Sequence, residues 1–229
     1  MKFLFSLIFC MFLFSCGHKT IKPLANIPVI SSATTFQKNY SISKKEITNL
    51  KQANRFSWKK MPPETKQKIF SKAVVETIIP AWIGTDWSFN GITQIPGKGS
   101  IACGYFVTTV LQDAGLHLAR IKLAQCPSEE MIRTLVQSEY IHRFSNIPMN
   151  DFIAAIQQQG YGLYITGLDC HTGFIYNDGK EIYFIHACYI GDKKVIMEKA
   201  ATSLILQHSK YKITGEISAD EKVLAGWID

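Results

Sequence analysis

Cys103, His171 and His186 are the residues whose types and spacing could do chemistry, and that chemistry is nucleophilic attack by a thiol. Cys103 stands at the head of an apolar stripe, Phe106, Val107, Val110, Leu111 and Ala114. Such spacing is one face of a helix, and Gly115 reads as its stop. A cysteine in the first turn of a helix meets unpaired N–H groups and the positive end of the helix dipole, and both favour thiolate over thiol. The bland alternative is a small core residue. The histidines downstream weigh against it.

Those histidines lie in the run Cys170-His171-Thr172-Gly173-Phe174-Ile175-Tyr176 and its partner Phe184-Ile185-His186-Ala187. Asp178-Gly179 between two β-rich segments predicts a two-residue hairpin loop. Asn177 then pairs with Lys180, and the same register sets His171 directly opposite His186 on one sheet face. A thiol, an imidazole base and a polar group that orients the base form the set needed to activate a nucleophile and protonate a leaving amine. His171 is assigned as the base and His186 as the orienting residue. The segments Asp169-Cys170-His171 and His186-Ala187-Cys188 also hold residue types that suit zinc. The register turns Cys170 away from the others, and no CxxC or HxxxH spacing is present, so no metal and no cofactor are called for.

These residues carry a resemblance to the NlpC-type cell-wall cysteine peptidases, a family with a papain-like fold. The family's "DCSGF" motif is matched by Ala102-Cys103-Gly104-Tyr105-Phe106, its "HVGIY" strand by His171-Thr172-Gly173-Phe174-Ile175-Tyr176, and its "FIHA" strand by Phe184-Ile185-His186-Ala187. The match covers roughly residues 80–200. It implies a Cys103, His171, His186 triad and a papain-like arrangement of N-terminal helices on an antiparallel sheet. Ala102 replaces the family's Asp, and Gly104-Tyr105 replaces its Ser-Gly. The family's tyrosine at the oxyanion site has Trp87 or Phe89 in its place, within Trp87-Ser88-Phe89-Asn90-Gly91. An indole N–H can donate there and a phenyl ring cannot. The implied substrate is an amide of the peptidoglycan stem peptide, cut through a thioacyl intermediate. A related papain-like amidase or acyltransferase is an alternative, as is a non-catalytic wall-binding lipoprotein.

The N-terminus gives the expected location. Met1-Lys2 precedes a short apolar run, which reads as a secretory signal over residues 1–15. Leu13-Phe14-Ser15-Cys16 resembles a bacterial lipobox, which implies lipidation of Cys16 and a membrane partner reached through that lipid. Gly17 follows rather than Asp, so an outer-membrane anchor facing the periplasm is expected. Residues 16–55 read as a polar tether and residues 56–229 as one catalytic domain, expected to be a monomer. The net charge of +7 suits anionic lipid or wall polymer. No basic stripe interleaved with aromatics is present, so nucleic acid is not an expected partner.

The elements that must position the site follow from periodicity. A helix is expected from Pro63 to a stop at Pro80, with a short one at residues 44–54. Further helices are expected over residues 129–141 and 151–159, the second capped by Asn150 and ended by Gly160. Strands are expected over residues 162–166, 171–176, 181–190 and 194–199, with a last pair at 203–207 and 210–213. Helices first and an antiparallel sheet afterwards predict an α+β fold.

Overall fold

The computed structural model describes residues 40–229. Cys16, the expected signal and the first part of the tether lie outside these residues. The helices are α1 (Tyr40–Asn54), α2 (Pro63–Lys72), α3 (Ile79–Trp82), α4 (Cys103–Asp113), α5 (Arg120–Gln125), α6 (Ser128–Leu135), α7 (Met149–Gln159), α8 (Leu204–His208) and α9 (Glu221–Ile228). The strands are β1 (Asp86–Trp87), β2 (Ser100–Ile101), β3 (Ile141–Ser145), β4 (Gly162–Leu168), β5 (Thr172–Asn177), β6 (Ile182–Ala187), β7 (Val195–Lys199) and β8 (Tyr211–Glu216). The fold is α+β, as expected. A six-stranded antiparallel sheet, in the order β3-β8-β4-β5-β6-β7, carries helices on both faces. Among the described residues no helix is long and apolar enough to cross a membrane.

Each sheet face has its own core, because every strand alternates its side chains between faces. Phe174, Ile185 and Ile165 pack with Phe106, Val107 and Val110 of α4. Ile175, Phe184 and Tyr164 pack on the opposite side with Phe152 and Ile156 of α7 and Leu206 of α8. The strands of the site, β5 and β6, are therefore covered twice, and their residues alternate between two interiors.

Several elements differ from expectation for identifiable reasons. Helix α1 starts at Tyr40 and buries Ile47 in the α4-side core, while Tyr40 Oη accepts the Trp82 indole N–H at 2.7 Å. The packed body thus begins ahead of the expected boundary at residue 56. The helix through Pro80 does not stop there. A π-helical stretch, Ala73–Ile78, precedes it, and the Ile79 N–H reaches back to the Val74 carbonyl. A widened turn relieves the clash a proline otherwise makes with the preceding turn. Helix α6 ends at Leu135, because buried Asp220 accepts the Gln137 N–H at 2.7 Å, and the chain leaves to form the edge strand β3. The same carboxylate accepts from Lys222 and Val223 and so starts α9. Residues 203–207, expected as a strand, instead open α8, with Ser203 accepting from the Leu206 N–H. Helix α7 starts at Met149 with Pro148, not Asn150, before it, and it ends at Gly160 with φ 88°.

The hairpin register is corrected by two positions. The ladder runs from Phe174↔Ile185 to Asn177↔Ile182. The Asp178 N–H donates to the Glu181 carbonyl at 3.1 Å, and Asp178 Oδ1 accepts the N–H groups of Lys180 and Glu181, each at 2.7 Å, so the turn centres on Gly179-Lys180 and not on Asp178-Gly179. A shift of two preserves the face, whereas a shift of one would have reversed it. His171 and His186 therefore still meet, but diagonally.

Candidate active site

Cys103 is the first residue of α4, following extended Ala102. The approach to it is fixed by close backbone packing. The Ala102 N–H donates to the Gly91 carbonyl at 2.8 Å. A Cβ on Gly91 would lie 2.5 Å from the Ile101 nitrogen, so only glycine fits this crossing. Gly104 is equally constrained, since a Cβ there would sit 2.3 Å from the Ala124 carbonyl oxygen of α5. Buried Arg120 ties the preceding loop to α4. Its Nε donates to Thr109 Oγ1 at 2.7 Å and its Nη2 to the Ile92 carbonyl at 2.9 Å.

The thiol of Cys103 is half-buried and free. Burial pushes its pKa up, against backbone N–H groups of Thr172, Gly104 and Cys103 itself, which pull it down. The expected helix-terminus effect is present, but desolvation outweighs it, so the resting sulfur is a thiol. Its contact with the Thr172 N–H seats it against the first residue of β5, directly after His171.

His171 and His186 are both buried, the latter fully. His171 Nε2 lies 2.9 Å from His186 Nδ1, with the rings nearly perpendicular at 83°. Gly173 makes this contact possible, because a Cβ at that position would lie 2.8 Å from His186 Cβ. Phe184 stacks flat on His186 at 4.0 Å between centroids, while Tyr189 meets His171 edge-on at 5.1 Å. The pKa of His171 is held well below its ordinary value, first by burial and then by the neighbouring imidazole. Burial also lowers that of His186, and Glu198 opposes the shift. Both rings are neutral near neutral pH.

Glu198 is the member of the cluster that sequence reasoning leaves without a role. Its Oε1 lies 3.1 Å from His186 Nε2. In the β6–β7 ladder His186 pairs with Ile196 and Phe184 with Glu198, so the carboxylate is the diagonal neighbour of the ring. An acidic residue alternating with Ile196 in a half-buried strand was the available signal. The β6–β7 register, set by a turn with Gly191 at φ 58° and Lys193 at φ 51°, was not legible.

Trp87 and Phe89 separate cleanly. Phe89 is 81% exposed and contributes no donor, which removes it as an oxyanion residue. Trp87 lies on the segment that runs beside β7, where its N–H donates to the Lys193 carbonyl at 2.6 Å. Its ring meets Tyr189 at 6.0 Å, and Tyr189 in turn meets His171, so one ring touches both. The indole N–H is buried and has no hydrogen-bond partner. Among the described residues Cys126 is half-buried, Cys170 exposed and Cys188 buried. The chain matches no family model, no curated protein and no solved structure.

Proposed function

We propose that this chain is a papain-like cysteine hydrolase that cleaves an amide bond. The observation that carries this reading is the 2.9 Å contact of His171 with His186 beside the start of β5, where the Thr172 N–H draws the pKa of the Cys103 thiol down. With Nε2 engaged by His186, Nδ1 is the nitrogen of His171 left to act as base. Because the resting pair is neutral, the proton moves as the bond forms. Sγ attacks the carbonyl carbon while Nδ1 takes the thiol proton. The C–O π electrons move to oxygen, and the N–H groups at the start of α4 stabilise that oxyanion. The unpartnered indole N–H of Trp87 offers a second donor. The protonated ring returns its proton to the departing amine as the C–N bond breaks. Water, deprotonated by the same nitrogen, then releases the acid and restores the thiol.

The substrate in this proposal is a peptidoglycan stem-peptide amide, on the strength of the sequence resemblance, and the enzyme acts as a monomer anchored to the outer membrane through lipid on Cys16. The test is incubation of the full-length protein in detergent, and of its Cys103→Ala form, with purified sacculi, followed by mass spectrometry of released fragments. Fragments made only by the unmodified protein are expected. Retained cleavage by Cys103→Ala would sink the assignment of the nucleophile. Saturable binding to sacculi without cleavage would leave a wall-binding protein in place of an enzyme.

A further inference from the structure

We infer that Glu198 is a positioning residue that sets the tautomers of both histidines and receives the charge created when the thiol is deprotonated. The contacts are the Glu198 Oε1 to His186 Nε2 distance of 3.1 Å and the His186 Nδ1 to His171 Nε2 distance of 2.9 Å. They form one line from carboxylate to base, and the logic of the line is fixed by what each atom can do. A carboxylate only accepts, so His186 Nε2 must carry the hydrogen. In a neutral ring that leaves Nδ1 bare, where it accepts from His171 Nε2–H. His171 is neutral as well, so its own Nδ1 is bare and able to act as a base. The reverse assignment would aim the His186 Nε2 lone pair at the carboxylate and leave His171 Nδ1 protonated and unable to accept the thiol proton.

The same line handles the charge. When His171 Nδ1 takes the thiol proton, a cation forms among buried rings. Passing the Nε2 proton of His171 to His186 Nδ1 returns His171 to neutrality and places the cation on His186, against Glu198. No atom is gained or lost, since one N–H bond breaks and one forms. Glu198 keeps 18% of its side chain exposed and is the acidic residue paired with these rings. Its charge is also felt by the thiol of the adjacent Cys188. The Lys199 ammonium next in the chain is engaged elsewhere, with Glu181.

The role rests on the thiol-hydrolase reading for its consequence, but its test does not need turnover. Histidine-selective nitrogen-15 labelling of the full-length protein reports which ring nitrogens carry hydrogen, with signals assigned through His171→Asn and His186→Asn. Hydrogen on Nε2 of both rings is expected in the unmodified protein. Glu198→Gln, which can donate as well as accept, should release the pair into mixed tautomers, and Glu198→Ala should do the same. Turnover of sacculi should fall about a hundredfold or more in both, by analogy with loss of the acid behind a catalytic histidine, with its pH optimum displaced. Hydrogen on Nδ1 of His186 in the unmodified protein would overturn the inference, as would tautomers unchanged in both variants. If the tautomers are as stated but no sacculus is cut, the hydrolase reading fails and the role of Glu198 in ordering the rings stands.

Discussion

Two carboxylates are held in this sheet, and they behave differently because of what they face. Glu198 on β7 meets an imidazole nitrogen of His186, a ring that can itself become charged. Glu216 on β8 is buried against neutral donors, the Gln67 amide at 2.8 Å and the Tyr164 hydroxyl, and burial pushes its pKa up to about 7. Both clusters sit beside a glycine on a neighbouring strand. A Cβ at Gly173 would strike His186, and one at Gly162 would lie 2.8 Å from Glu216 Oε1. The construction is similar, but the first cluster, as proposed above, is built to move charge along a line, whereas the second has only neutral partners for its proton. A buried acid becomes part of a reaction path when its partner can titrate, and otherwise it becomes a source of pH-dependent stability.

The sharpest way to break this contrast is Gly173→Val. The added side chain meets His186 Cβ, Phe184 and the Ile185 carbonyl, each at 2.8 Å from the first new carbon. Displacing the ring should lower turnover of sacculi about a hundredfold or more and cost about 2 kcal/mol in urea unfolding as overpacking. Full activity in this variant would mean that the two rings do not act together.

Next in size is the pH response of the Glu216 cluster. An acid whose pKa is raised on folding binds its proton more tightly in the folded state. Stability should therefore be greatest below the unfolded pKa near 4.5 and should be lost as pH rises towards about 7. The whole loss is about 3 kcal/mol, from the cost of roughly 1.4 kcal/mol per pKa unit. Glu216→Gln should flatten this slope in urea titrations at pH 4.5, 6 and 8. A slope unchanged by the substitution would assign the pH dependence to another group.

The smallest effect concerns Cys188, whose thiol is pushed up to about 11 by burial and, secondarily, by the charge of Glu198. Iodoacetamide labelling mapped by mass spectrometry should reach exposed Cys170 first and Cys188 last. Glu198→Gln should speed labelling of Cys188 by a few-fold, on the scale of one lost like-charge interaction. No acceleration would mean that the thiol does not sense a charge at Glu198.

The helix that Cys103 begins and the paired histidine strands were legible because each rests on a local pattern. The stripe from Phe106 to Ala114 shows α4, and alternation around Phe174 and Phe184 shows β5 and β6. The diagonal contact of the histidines was missed, since the turn is decided by how Asp178 uses its carboxylate. Their shared face survived because the error was even. Glu198 was out of reach for a related reason, as its neighbour is set by a ladder that no local pattern encodes. The thiol's raised pKa was also invisible, because desolvation depends on what covers Cys103 and not on its helix position. Strand β3 and helix α9 were lost together, since one carboxylate, Asp220, organises both from a distance in sequence.

Trp227 in α9 donates its indole N–H to the Ala114 carbonyl at 2.6 Å, at the end of the helix that Cys103 begins. Its ring is wedged between Trp58 and Phe70. During synthesis, therefore, the helix that Cys103 begins has no finished seat until Trp227 has emerged from the ribosome. Cys103 is made early and seated late, so a chain stopped short of α9 would carry Cys103, His171, His186 and Glu198 while the far end of α4 still lacked its partner.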